Sequence, residues 1–152
     1  MRTAHAVPVG LIATAAMTAL LLIEPSVGLP QIAIGQLLST SLSVSTAHLT
    51  LGPGFGWALH FVVGCVWAVV YVALVRDRLP GGPLARGLAY GGLLFLLAQL
   101  VFMPLVGGGV FSRGSAALLA GSLLGHLVYG GVLGWVLGLT EHEGVTAVAA
   151  LR

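Results

Sequence analysis

Four long stretches of apolar residues dominate the pattern of the chain, at about 7–24, 55–75, 87–104 and 115–139. Each is close to the roughly 20 residues that a helix needs to cross the hydrocarbon core of a bilayer. Between the first two, residues 30–42 carry apolar side chains at helical spacing with polar ones between them, which predicts a short amphipathic helix at the outer surface. The pattern therefore predicts an all-α membrane protein with one domain and a four-helix bundle. The outer helix is either a lid or a packed connector.

Composition agrees with a lipid environment, because 58% of the residues are hydrophobic and 7% are charged, against about a quarter charged in soluble domains. Three of the arginines, Arg76, Arg78 and Arg86, flank the connection between the second and third stretches, whereas the connection between the first and second has no Lys or Arg. Positive charge is retained on the cytoplasmic side, so both termini and the central connection are predicted to be cytoplasmic. The charges do not form a cluster on a soluble face, and no nucleic-acid partner is expected.

Twelve of the 23 glycines of the chain fall within the apolar stretches, where small residues four apart let helix backbones approach closely. The glycines that we expect at helix contacts are Gly64, Gly91, Gly121, Gly125, Gly130 and Gly134. Such faces build either a tight monomeric bundle or a surface for a second copy or a partner helix. Both alternatives stay open at this stage.

Each apolar stretch also carries one polar or ionisable residue that looks buried: Glu24, His60, Gln99 and His126. At 1.5 Å per residue, all four lie about 18–24 Å from the cytoplasmic ends of their helices, in the outer half of the membrane. Tyr129, three residues after His126, shares its face and joins the predicted layer, where it either hydrogen-bonds to His126 or only packs against it. Polar groups are costly in hydrocarbon and face the bundle interior, so the layer is the candidate site.

Three interpretations of this layer compete. It is a hydrogen-bonded plug that fixes helix register, a metal or haem site held by His60 and His126 with Glu24 as a further metal ligand, or a proton-handling site in which these groups titrate. Met103 and His48 are placed to add ligands. One histidine per helix is less specific than a Glu-x-x-His motif. The sequence has no Ser/His/Asp set and no paired carboxylates, so no enzymatic activity is expected.

The segments Gly56-Trp57-x-x-His60-x-x-x-Gly64 and Gly125-His126-Leu127-x-Tyr129-Gly130 resemble a family of small bacterial four-span membrane proteins of unknown function, broadly similar to the YagU-like inner-membrane proteins. The resemblance covers nearly the whole chain. It implies a four-helix fold in a bacterial inner membrane, with both histidines in the family pattern, and it implies no activity.

The leading functional hypothesis is a structural or accessory membrane subunit that packs through its glycine-rich faces with itself or with a larger membrane complex. It requires no cofactor, and its partners are the lipid bilayer and other membrane subunits. The alternative is a binding protein for haem or a transition metal that uses His60 and His126.

Overall fold

The computed structural model describes residues 5–45 and 52–149 and contains four apolar helices long enough to cross a membrane. Span one is Ala6–Val27, span two is Pro53–Arg78, span three is Pro83–Leu105 and span four is Ala116–Leu139. The predicted four-helix all-α membrane fold is confirmed, and the described part of the chain has no strand. Because the number of spans is even, both described ends lie at one end of the bundle, the terminal end; the opposite end is called the distal end.

Proline and glycine mark where spans two and three begin. Pro53 and Pro83 occupy the first turn of their helices, each after an extended glycine, Gly52 or Gly82. A proline there loses no helical hydrogen bond, because the first N–H groups of a helix have no intrahelical acceptor. The local sequence thus accounts for starts that lie two and four residues before those predicted.

Three of the spans depart locally from α-helical geometry. Span one closes with a 3-10 turn at Glu24–Val27, and spans two and three contain π-helical turns at Tyr71–Val75 and Ala98–Phe102. The second π-helical turn includes Gln99, one of the predicted polar residues. The helix of span four continues beyond the predicted end at 139, over Ala116–Ala149.

The predicted amphipathic helix spans Ile34–Ser45 and packs against span two at the distal end. We call it the connecting helix. Its backbone touches that of span two, because a Cβ added to Gly56 would collide with the carbonyl of Gly35, and one added to Gly35 would lie 2.7 Å from the Trp57 ring. The helix is therefore held at its first turn by a glycine–glycine contact.

The spans are packed in the order two, one, four, three, and spans three and four make the most extensive contact. Glycines form this contact: a Cβ added to Gly87 would collide with the carbonyl oxygen of Gly130, and one added to Gly91 with the carbonyl oxygen of His126. Gly134 lies against Gly87, with 2.8 Å between the Gly87 Cα and the position of an added Cβ. The backbones of the two helices are thus in direct contact, which only small residues permit.

Glycines also lie at the contacts of span one with its two neighbours. Toward span two, an added Cβ on Gly10 would lie 2.7 Å from the Ala68 Cβ, and one on Gly64 would collide with the side chain of Thr14. Toward span four, an added Cβ on Gly125 would lie 3.2 Å from the Cε of Met17. These glycines are therefore engaged within the chain.

Spans two and three are not a closely packed pair, although they are neighbours around the bundle. They meet in the terminal half, where the rings of Tyr71 and Tyr90 lie 4.9 Å apart and the Tyr90 hydroxyl donates to the carbonyl of Trp67 at 2.8 Å. Toward the distal end, Val63 of span two and Leu94 and Leu97 of span three line a common cavity. The candidate site lies in this cavity.

We predict that Gly91→Ala destabilises the protein by about 1–3 kcal/mol, the usual cost of overpacking, because its methyl group has no room against span four. The matched control is Gly92→Ala on the next residue, where an added Cβ meets nothing within 4 Å. That change is expected to stabilise by up to about 1 kcal/mol, since alanine is the better helix former. Thermal unfolding of both variants in one detergent measures the difference, and equal stability would contradict the glycine contact.

Candidate functional site: a cavity open to lipid

A cavity of about 560 Å³ lies in the distal half of the bundle, bounded by all four spans and by the connecting helix. Its volume is within the usual range of small-molecule sites, about 300–1,000 Å³. The wall is mostly apolar and includes Ile34, Leu37, Leu38, Val63, Leu94 and Leu97. Among the lining residues, which all belong to the described part of the chain, none is Arg, Asp or Glu.

The lining of the cavity is exposed on spans two and three and buried on span one. Its lining residues Val63, Leu97 and Val101 lie on spans two and three and are 37–48% exposed, whereas Met17 and Leu21 on span one are buried. The exposed part of the lining therefore lies on spans two and three, and it includes Leu105 at the distal end of span three, which is 79% exposed.

His60 lies in the second turn of span two, on the cavity wall, and is 9% exposed. The rings of Trp57 and Phe61 meet its imidazole edge-on, each with its centroid at 5.8 Å. Its Nε2 atom is buried and has no hydrogen-bond partner in the described part of the chain. An unsatisfied buried nitrogen costs about 1–3 kcal/mol, so this atom is a candidate contact for a ligand.

His126 lies on span four, on the wall of the same cavity. Its Nδ1 is 2.7 Å from the carbonyl oxygen of Ser122, one helical turn earlier. A carbonyl only accepts hydrogen bonds, so Nδ1 carries the hydrogen and, in a neutral imidazole, Nε2 presents a lone pair. The ring of Phe95 meets the imidazole edge-on at 6.2 Å. The orientation and the tautomer of His126 are therefore set by span four itself.

Gln99 is hydrogen-bonded within the protein at both ends of its amide group. Its Nε2 donates to the Ser122 hydroxyl at 3.0 Å, and its Oε1 accepts from the Ser112 hydroxyl at 2.9 Å. Ser112 belongs to the distal connection, the segment 106–115 between spans three and four, where three consecutive residues, 111–113, have φ angles of 47–54°. Left-handed conformations are unfavourable for residues other than glycine, and the bond to Gln99 helps to hold the connection. Gln99 therefore ties this connection to span four.

Tyr129 lines the cavity but does not hydrogen-bond to His126. Its hydroxyl donates to the carbonyl of Gly64 on span two, at 2.6 Å. Together with the bond from Tyr90 to Trp67, this contact joins span two to spans three and four on the terminal side of the cavity. The two tyrosines thus limit how far the cavity extends toward the terminal end.

Glu24 lies apart from the cavity, between spans one and four. Its side chain is 1% exposed, both carboxyl oxygens lack a partner in the described part of the chain, and Oε2 would lie 2.7 Å from a Cβ on Gly121. The glycine therefore provides the space that the carboxyl group occupies. Glu24 does not line the cavity with the two histidines, so the predicted single layer separates into a cavity site and an isolated carboxyl group.

The predicted metal ligands are only partly brought together. His60, His126 and Met103 line the cavity, and His48 lies outside the described residues. Within 5–45 and 52–149, no group of three or more His, Cys, Asp or Glu side chains is arranged to hold a metal ion.

Sequence reasoning did not identify Ser112 and Ser122. Ser122 stands four residues before His126, a spacing that places both on one helix face and was a usable signal. Ser112 is brought to Gln99 by the left-handed backbone of the distal connection, and the sequence contains no comparable signal for that contact.

The chain belongs to a family of unknown function, DUF6789, whose family model matches residues 1–148. The expectation of a family of small membrane proteins of unknown function is thereby confirmed, while the relation to the YagU-like proteins stays a prediction. No curated protein and no solved structure matches the chain.

We predict that Glu24→Met raises the free energy of unfolding by about 1–3 kcal/mol, because a nearly isosteric apolar side chain removes two unsatisfied buried oxygens. Glu24→Gln, which keeps a polar head of the same size, is the control and is expected to gain less. Thermal unfolding in detergent measures both. A loss of stability in Glu24→Met would mean that the carboxyl group has a stabilising partner.

Proposed function

We propose that this protein binds a neutral, lipid-soluble molecule in the cavity between the distal halves of its spans. One observation carries the proposal: the cavity is apolar, lacks charged lining residues and has its exposed lining on the lipid side, with His60 and His126 on its wall. Ligand sites commonly combine apolar walls with a few polar groups that fix orientation. Here the two imidazoles are such groups.

The uncharged lining narrows the chemistry of the ligand. A phosphate headgroup or a carboxylate moved into this cavity would lose its hydration without gaining a cationic partner, and an unpaired buried charge is very costly. A hydrocarbon chain with a small uncharged polar head can enter without burying an unpaired charge. It fits both the apolar wall and the two histidines.

Binding of haem or a transition metal is the second candidate, favoured by the presence of His60 and His126 on one cavity. Two imidazoles are an axial ligand set for haem iron, and imidazole also suits zinc and copper. Against this candidate, the two carboxylates of a haem would find no cationic side chain among the lining residues. An absorption spectrum and a metal determination on the purified protein distinguish the two candidates.

For the setting of this function, we propose a bacterial inner membrane with both termini in the cytoplasm. Arg76, Arg78 and Arg86 lie at the terminal end of spans two and three, while the described distal connections carry Arg113. Positive residues are retained on the cytoplasmic side. Association with a second copy or with a larger membrane complex stays a prediction. The glycines expected to support it make contacts within the chain.

We predict that Val63→Trp lowers the amount of neutral lipid that copurifies with the protein several-fold, because the indole narrows the opening between spans two and three. Val62→Trp is the matched control: Val62 is 57% exposed and does not line the cavity. The measurement is solvent extraction of each purified protein followed by mass spectrometry, expressed as molecules per chain. We expect about one neutral molecule per chain in the unmodified protein and in Val62→Trp.

Equal retention by the two tryptophan variants, or no neutral lipid in the unmodified protein, would contradict the proposal. A Soret band or stoichiometric metal that is lost in both His60→Ala and His126→Ala would instead establish the second candidate.

Two reporter fusions test the proposed orientation in a bacterial host. We predict that green fluorescent protein fused after Arg152 is fluorescent and that alkaline phosphatase fused after Gly108 is active. The physical reason is that each reporter functions on one side only of the inner membrane, the first in the cytoplasm and the second outside it. The reverse pattern would overturn the proposed orientation, and it would leave the cavity unaffected.

A further inference from the structure

We infer that the molecule bound in the cavity carries a hydroxyl group that donates its hydrogen to Nε2 of His126. The inference rests on the proposed function and adds the chemical class of the ligand: a neutral, lipid-soluble alcohol or phenol. Two observations on different spans lead to it, namely the fixed tautomer of His126 and the unpartnered nitrogen of His60.

His126 favours a ligand that carries a hydrogen-bond donor. Since its Nδ1–H is committed to the carbonyl of Ser122 at 2.7 Å, the neutral ring offers only a lone pair at Nε2. A ketone, an ester or an ether has no hydrogen to give to that lone pair, whereas a hydroxyl group does. The hydrogen bond of the His126 ring to the protein is made at Nδ1, so Nε2 is the ring nitrogen assigned to the ligand.

His60 is the second polar contact. Its Nε2 is buried without a partner in the described part of the chain, and His60 lines the same cavity as His126. A hydroxyl group both donates and accepts. In the proposed complex the hydroxyl group gives its hydrogen to His126 and accepts from an Nε2–H of His60, which would satisfy both rings.

Several other polar side chains on the wall have partners within the protein. Gln99 bonds to Ser112 and Ser122, and Tyr129 donates to the carbonyl of Gly64. Recognition of the polar head is assigned to the two imidazoles; Trp67, which also lines the cavity, carries a further donor, its indole N–H. Because neither imidazole is paired with a carboxylate among the lining residues, an uncharged head is the one that fits.

The experiment compares molecules that share a chain and differ in the head: farnesol, farnesyl methyl ether and farnesene. Each competes with tritiated farnesol for the full-length protein in detergent. We expect farnesol to bind about two- to tenfold more tightly than the ether, the effect of one hydrogen bond between neutral groups. In His126→Phe the preference is expected to disappear, while in His60→Phe both molecules weaken together and the preference stays, because both can accept from His60.

Decylubiquinol and decylubiquinone, compared without oxygen, form a second arm that distinguishes a phenolic head from an aliphatic alcohol. Stronger competition by the quinol than by farnesol assigns the phenol, and the reverse assigns the alcohol.

Equal affinity for farnesol, its ether and farnesene, or a preference for the quinone over the quinol, would overturn the inference and leave the proposed cavity function intact. If none of the molecules competes and no tritiated farnesol binds, the proposed function itself fails. The comparison in the unmodified protein decides the matter even if a histidine variant does not fold.

Discussion

Direct contact between helix backbones is the interaction on which the rest of this structure depends. In a bilayer the lipid tails are as apolar as the helices, so close van der Waals packing has to hold the bundle together. Spans three and four achieve it where Gly87 and Gly91 meet Gly130 and Gly134, and span one packs on its two neighbours through smaller sets of glycines. These three helix–helix contacts fix the relative positions of all four helices.

The cavity lies beside the fourth pair of neighbouring helices, spans two and three. Spans two and three meet at Tyr71 and Tyr90 in the terminal half, and their side chains there are large. Bulky rings lie between the two helices there, and the described part of the chain has no glycine contact between spans two and three like those of the other three pairs. The same packing rule that closes three sides of the bundle thus leaves one side open to lipid.

Pairing within the protein separates the polar residues into two groups. Gln99, Tyr90 and Tyr129 form hydrogen bonds between helices or to a connection, as a structural polar residue in a membrane is expected to do. His60 retains an unpartnered nitrogen, and Glu24 two unpartnered oxygens, in the described part of the chain. Groups left unsatisfied lower stability, which makes them better candidates for function than the paired residues beside them.

The sequence predicted the spans, the outer amphipathic helix and the shared depth of His60, Gln99 and His126, because length, helical period and rise per residue follow from composition and geometry alone. It did not predict which residues would pair. Helical periodicity gives the face on which Gln99 lies, but the choice of Ser112 and Ser122 as its partners depends on the order of helices around the bundle and on a left-handed turn. For the same reason Glu24, at a similar depth, could not be separated from the histidines beforehand.

Depth gives a further constraint on the proposed ligand. His60 lies seven residues after Pro53, the first residue of span two, which is about 10 Å below the distal end of that helix. A lipid with a charged headgroup stays anchored at the interface, since moving the charge to that depth costs several kcal/mol. A molecule whose only polar group is a hydroxyl dissolves within the hydrocarbon and can present that group at the level of His60 and His126. Both the lateral opening and the depth of the imidazoles therefore favour a ligand that enters from the bilayer itself.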